Sequence, residues 1–253
     1  MIVSDWFDKG IALAKLKMFY EAIACFDEVL KAIPGNADAL YNKGVALAAL
    51  ERYDEAVVCY DRSLQINPYN ADALNNKGVA FAALERYEEA IEYFDKVLRM
   101  NPKNELALRN KGSALAKLKM YDMALEYFDT VLQINSQNAG ALYDKGVTLA
   151  SLGVYDEAVG CYNNVLRIYP DNADALNNKG VACAALKRYE ESVTCFDKVL
   201  KVQPGHLTAL HNKGRALAKL KKYTDAIACY DQVLRIYPDS AGTWNNKGLH
   251  LTI

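Results

Sequence analysis

The chain has 253 residues, 52% of them apolar, and a formal net charge of −1. That balance offers no basic field for nucleic acid or an anionic lipid surface. No apolar run approaches the roughly 18 residues of a membrane span, and Met1-Ile2-Val3-Ser4-Asp5 lacks the basic and apolar regions of a secretory signal, so a cytoplasmic protein without nucleic-acid or membrane partners is expected.

Glycine recurs at 10, 44, 78, 112, 146, 180, 214 and 248, always 34 residues apart. Each lies in an Ala-rich segment of helical pattern, where glycine costs about 1 kcal/mol relative to alanine. One cost incurred at one spacing implies one packing requirement, and a period of this length implies a stacked array. With glycine numbered as position 8, a single repeat array fills residues 1–253. Its full repeats are 3–36, 37–70, 71–104, 105–138, 139–172, 173–206 and 207–240, and a partial repeat spans 241–253.

Within each repeat, apolar residues fall at positions 4, 8, 11 and 14, then at 17, 20, 21, 24, 27 and 28. Three-and-four spacing predicts two amphipathic helices per repeat. Asn36, Asn70, Asn104, Asn138 and Asn172 are placed to cap the following helix, and proline closes six repeats, with Ser136 in its place in the fourth. Alanine at position 20 (serine at Ser192) is the expected partner of the glycine, allowing two helix backbones to approach. Leucine at positions 14 and 28 and aromatic residues at 17 and 24 complete the expected core. Five cysteines, Cys25, Cys59, Cys161, Cys195 and Cys229, share one repeat position and read as small apolar filler. No spacing of cysteine and histidine suits a metal. No phosphate loop or zinc-protease motif occurs, and no nucleophile is accompanied by a base and an orienting group, so no enzyme activity and no cofactor are expected.

Leu or Trp at 4, Gly at 8, Tyr at 17, Ala at 20, an aromatic at 24 and Pro at 32 resemble the tetratricopeptide repeat family over essentially the whole chain. The resemblance implies an all-α fold, a right-handed superhelical solenoid of antiparallel helix pairs. Position 7 departs from the family: it is Lys in all eight repeats, while position 25 is Asp in six of seven and Asn163 in the other. These charges are expected to pair across the two helices of one repeat, as Lys43 with Asp61 and Lys77 with Asp95.

The resemblance also implies that first helices line a concave groove for an extended peptide or a partner helix. Asn42, Asn76, Asn110, Asn178 and Asn212 at position 6 would then face it and could grip a peptide main chain. Val45, Val79 and Val181 would form an apolar floor, with Tyr41 and Tyr143 beside it. Arg109 and Lys117 in the fourth repeat, and His211, Arg215 and Lys219 in the seventh, would favour ligand carboxylates. No repeat has Lys at position 5 or Asn at position 9, which argues against the carboxylate clamp of chaperone-binding relatives. The expected function is a non-enzymatic interaction scaffold. The eighth repeat stops before a second helix, with Trp244, Leu249, Leu251 and Ile253 placed as if to meet one. The preferred reading is a piece of a longer protein whose activity lies elsewhere. The alternative is an assembly module that self-associates through its C-terminal end.

Overall fold

The computed structural model describes residues 3–249, and every regular element among them is an α-helix. The chain forms two compact units, Met1–Ile134 and Asn135–Ile253. The boundary falls in the loop where Ser136 replaces proline.

The N-terminal unit holds α1 (Val3–Lys15), α2 (Phe19–Ala32), α3 (Ala37–Ala49), α4 (Tyr53–Ile66), α5 (Ala71–Ala83), α6 (Tyr87–Met100), α7 (Glu105–Lys117) and α8 (Tyr121–Ile134). Each odd-numbered helix packs on the helix that follows it, and α3, α5 and α7 also pack on the helix before them. Successive odd-numbered helices adjoin, which makes them one face of the unit. The C-terminal unit repeats this plan with α9 (Ala139–Ser151), α10 (Tyr155–Ile168), α11 (Ala173–Ala185), α12 (Tyr189–Val202), α13 (Leu207–Lys219), α14 (Tyr223–Ile236) and α15 (Ala241–Gly248). Residues Leu251 and Ile253 lie outside the described residues.

Local chemistry sets the helix ends. Asn36, Asn70, Asn104, Asn138 and Asn172 each accept a bond from the backbone N–H three residues on, at 2.8 to 3.0 Å. His206 takes this role before α13, its Nδ1 accepting from Ala209 N at 3.1 Å. At the other end of the first helix, the N–H of Arg52 bonds to Leu47 O and that of Glu51 to Ala48 O, each at 3.0 Å. This double closure requires a left-handed residue between the helices. Lys17, Glu51, Glu85, Lys119, Lys187 and Lys221 adopt it with φ of 59 to 61°, and Gly153 with φ 79°. The helix ending there leaves position 14 more open than the apolar pattern predicts: Leu16 and Leu152 are exposed.

The repeat glycine meets a different neighbour from the one expected. A Cβ on Gly78 would lie 2.6 Å from Phe94 Cε1, and one on Gly44 the same distance from Tyr60 Cε1. Gly10, Gly112, Gly146, Gly180 and Gly214 face Phe26, Phe128, Tyr162, Phe196 and Tyr230 in the same way, at 2.5 to 2.8 Å. The position-24 ring, whose Cε1 edge meets the glycine, is what excludes a side chain. Position 20 is nonetheless close to the glycine backbone, since Ser192 Oγ donates to Gly180 O at 2.8 Å. Alanine at 20 and the ring at 24 sit one turn apart on one face of the second helix.

The lysine–aspartate pairs also have another register. Lys43 pairs with Asp27 at 2.5 Å, Lys77 with Asp61, Lys111 with Asp95 at 2.5 Å, Lys213 with Asp197 at 2.6 Å and Lys247 with Asp231 at 2.6 Å. Each lysine therefore reaches the second helix of the preceding repeat, not of its own. Position 3 explains this. Ala107 is buried against Leu74 and Val97 of the preceding repeat, and position 7, one turn on, shares that face. For Lys179 the corresponding position holds Asn163, which has no charge to offer, and the lysine pairs instead with Glu191 at 2.9 Å.

Candidate functional site

The face made by the odd-numbered helices carries the position-5 and position-6 side chains. In the N-terminal unit, Asn76 Nδ2 donates to Tyr41 Oη at 3.0 Å and Asn110 Nδ2 to Asn75 Oδ1 at 3.1 Å. In the C-terminal unit, Asn178 Nδ2 donates to Tyr143 Oη at 2.9 Å, and Asn246 Nδ2 to His211 Nε2 at 3.3 Å. In these four places position 6 forms a rung with an acceptor at position 5 of the preceding repeat. Phe7 cannot accept, and Asn42 Nδ2 turns to the Asp38 carbonyl at 2.8 Å. These amides already serve the scaffold with one N–H each. The second N–H of each amide remains for other contacts.

Burial pushes the Tyr41 and Tyr143 hydroxyls above the usual phenol range, with Asp72 and Asp174 adding to the effect. Both phenols are therefore protonated acceptors of their rungs at neutral pH. The His211 imidazole is held below its usual range by burial and by Arg215. Its Nε2 accepts from Asn246, so Nδ1 carries the proton and donates to Thr243 Oγ1 at 3.1 Å.

The sixth and seventh repeats break the pattern. Asn177 occupies position 5, yet its Oδ1 is buried without a hydrogen-bond partner. Asn212, the residue placed to donate to it, instead lines a hollow of about 270 Å³ between α11 and α13. Val181, Ala184 and Ala185 form one wall, Tyr189 and Phe196 the base, and Arg215 and Lys219 the opposite rim. No carboxylate lines it. The structure therefore gathers Val181, Asn212, Arg215 and Lys219 at one place. Val45 is half-buried and Val79 exposed, Arg109 is half-buried and Lys117 exposed; these belong to the N-terminal unit and do not enter the hollow. Tyr189 also lines the hollow and was read from sequence only as core, because it carries only the repeat's position-17 signal. The unpaired Asn177 had no sequence signal, since Asn75 at the same position does accept a rung.

Among the described residues, no cluster of three or more His, Cys, Asp or Glu is placed to hold a metal ion. No helix there is long and apolar enough to cross a membrane.

Family models described as tetratricopeptide repeat match residues 6–36, 37–70, 71–104, 106–138, 143–198 and 171–239. The chain is similar to the solved structure of YrrB, a TPR protein with an unusual peptide-binding site. The two share 29% identity over 74% of this chain and 97% of that one, with a TM-score of 0.56. A tetratricopeptide repeat protein from Parabacteroides merdae has 17% identity, 98% coverage of both chains and a TM-score of 0.74. MamA from Desulfovibrio magneticus has 22% identity over 68% of this chain and 97% of its own, with a TM-score of 0.63. A comparison with curated proteins found no match. Repeat length, helix pairing and family matches agree: the chain belongs to the tetratricopeptide repeat family, an all-α fold that typically serves as a non-enzymatic protein-interaction scaffold.

Proposed function

We propose that the chain binds an extended, carboxylate-bearing peptide segment of a partner protein on the face of its odd-numbered helices, centred on α11 and α13. The single observation that carries this reading is the hollow with an apolar wall and an unopposed cationic rim of Arg215 and Lys219. The wall suits small apolar side chains, Arg215 offers a two-pronged donor to a carboxylate, and Asn212 brings an amide that is not consumed by a rung. The likeness to YrrB, with its peptide-binding site, supports the reading.

The test is fluorescence anisotropy with a library of labelled extended peptides, each acidic member matched to its amide counterpart (Asp to Asn, Glu to Gln). Preferential binding of acidic members, lost in the double variant Arg215→Ala/Lys219→Ala, is the expected result. Equal binding of acidic and amide members, or an unaffected double variant, overturns it.

A second reading is self-association through α15, favoured by the exposure of Trp244 and Leu249. Light scattering across concentration tests it: a mass that stays monomeric rejects assembly, and a mass that rises in the native chain but not in Trp244→Ala supports it.

A further inference from the structure

Positions 11 and 23 of a repeat face each other across its two helices. In the third repeat they are Phe81 and Tyr93, whose rings stack with centroids 5.5 Å apart. Leu47 and Cys59 share a buried cluster in the second repeat, as do Leu217 and Cys229 in the seventh. Only in the sixth are both positions cysteine: Cys183 on α11 and Cys195 on α12. The two are 0% and 4% exposed. Their thiols are near enough to shift one another's protonation. Where cysteine recurs at position 23 in other repeats, position 11 is Leu13, Leu47, Leu149 or Leu217, so no second sulfur stands at that place.

The surroundings of the sixth repeat differ as well. Because Asn163 replaces aspartate, Lys179 turns to Glu191 within its own helix pair, at 2.9 Å. Its ammonium thereby acts on both thiols, and the Glu191 carboxylate opposes ionisation of Cys183. The neighbouring Cys183 thiol, aided by Lys179, holds the Cys195 thiol below its usual range despite burial. Its neighbour Cys195 and burial push Cys183 up. The pair therefore has a thiolate-forming member and a proton-bearing member, the division of labour that thiol oxidation requires.

We propose that Cys183 and Cys195 form a redox-active dithiol that a hydroperoxide oxidises to an intramolecular disulfide joining α11 to α12. The Cys195 thiolate attacks a peroxide oxygen and the O–O bond breaks. Cys195 becomes a sulfenic acid, and the departing oxygen leaves as water or alcohol after taking a proton. The Cys183 sulfur then attacks Cys195 sulfur, the S–O bond breaks, and the hydroxyl leaves as water with the Cys183 proton. With hydrogen peroxide, two thiols yield one disulfide and two waters. Two buried sulfurs at facing positions of one helix pair need only close to about 2.0 Å. The burial of the pair suits the smallest hydroperoxide over bulky disulfide reagents. Because α11 and α12 also line the hollow, the bridge would lie beside the proposed peptide site, but it does not depend on that reading.

The test exposes the full chain to hydrogen peroxide, quenches with catalase, denatures it and titrates free thiols. The expected result is loss of two of the six cysteine thiols, recovery of both with dithiothreitol, and a Cys183–Cys195 linked peptide by mass spectrometry. Cys183→Ala should give no linked peptide and should leave a sulfenic acid at Cys195 that dimedone traps. Six thiols retained by the native chain, or linked peptides that join other cysteines, would overturn the proposal. Mapping of the native chain decides the matter even where the variant folds poorly.

Discussion

Phe94 packs against α5 with its Cε1 atom 2.6 Å from the point a Gly78 side chain would occupy. The ring is buried, 1% exposed, so any shift must displace the core around it. Gly78→Ala should therefore destabilise the fold. Alanine gains about 1 kcal/mol of helix propensity, and overpacking costs about 1–3 kcal/mol, so the net loss is up to about 2 kcal/mol. Phe94→Leu placed on that variant should recover part of it. Gly248, where an added Cβ would meet nothing within 4 Å, should accept alanine without loss. Urea denaturation of the parent and the three variants checks the set.

The left-handed residue between paired helices gives a prediction of the opposite sign. Lys119 has φ 61° where the fifth repeat has Gly153. Lys119→Gly should raise stability by up to about 1 kcal/mol, reduced by glycine's greater freedom in the unfolded chain. Gly153→Ala should lower it by a similar amount. Thermal melts of both variants, read against the parent, are sufficient.

Lys77 is 3% exposed, bonded to Asp61 and to Tyr93 Oη at 2.6 Å, and lies over the Tyr93 ring. Asp61→Asn removes the charge that balances a buried ammonium and should cost about 1–3 kcal/mol. Asp27→Asn should cost less, because the Lys43 side chain it serves is 24% exposed and can hydrate. Denaturant midpoints that reverse this order would contradict the burial argument.

The His211 imidazole joins α13 to α15 as a neutral ring, facing Arg215 on its own helix, Tyr230 of α14, and Thr243 and Asn246 of α15. Its folded-state value is depressed, so the unfolded chain binds the proton more readily. The stabilisation is complete above the unfolded value of about 6.5 and is lost as pH falls through the depressed folded value. Hydrogen exchange at α15 amides should accelerate over that descent. His211→Asn, which keeps an acceptor but does not titrate, should flatten the profile.

The period, the helix pairs and the asparagine caps were all legible in sequence, because each is written locally in spacing or in a single residue. The ion-pair register was not. Lys43 lies 16 residues after Asp27 and 18 before Asp61, and in a 34-residue repeat those separations describe the same two positions. Only the direction in which position 3 packs distinguishes them. The glycine's neighbour was hidden for a related reason: Ala56 and Tyr60 share a helix face, so their periodicity is identical. Asn76 and Asn178 announced a polar row, but not that Tyr41 and Tyr143 of the preceding repeat already engage it. The hollow was legible only as scattered residues, since Arg215, Lys219 and Val181 come together across two repeats.

The lysine that reaches back to the preceding repeat makes each helix pair a condition for its successor. Melting one pair strands the ammonium of the next, so the bond acts as a nearest-neighbour coupling that makes an array unfold cooperatively. Between the fifth and sixth repeats this link is missing, because Lys179 closes on Glu191 within its own pair. Within the C-terminal unit, cooperativity should be weakest at that junction, and partial unfolding should divide there, leaving α11 and its successors as one block.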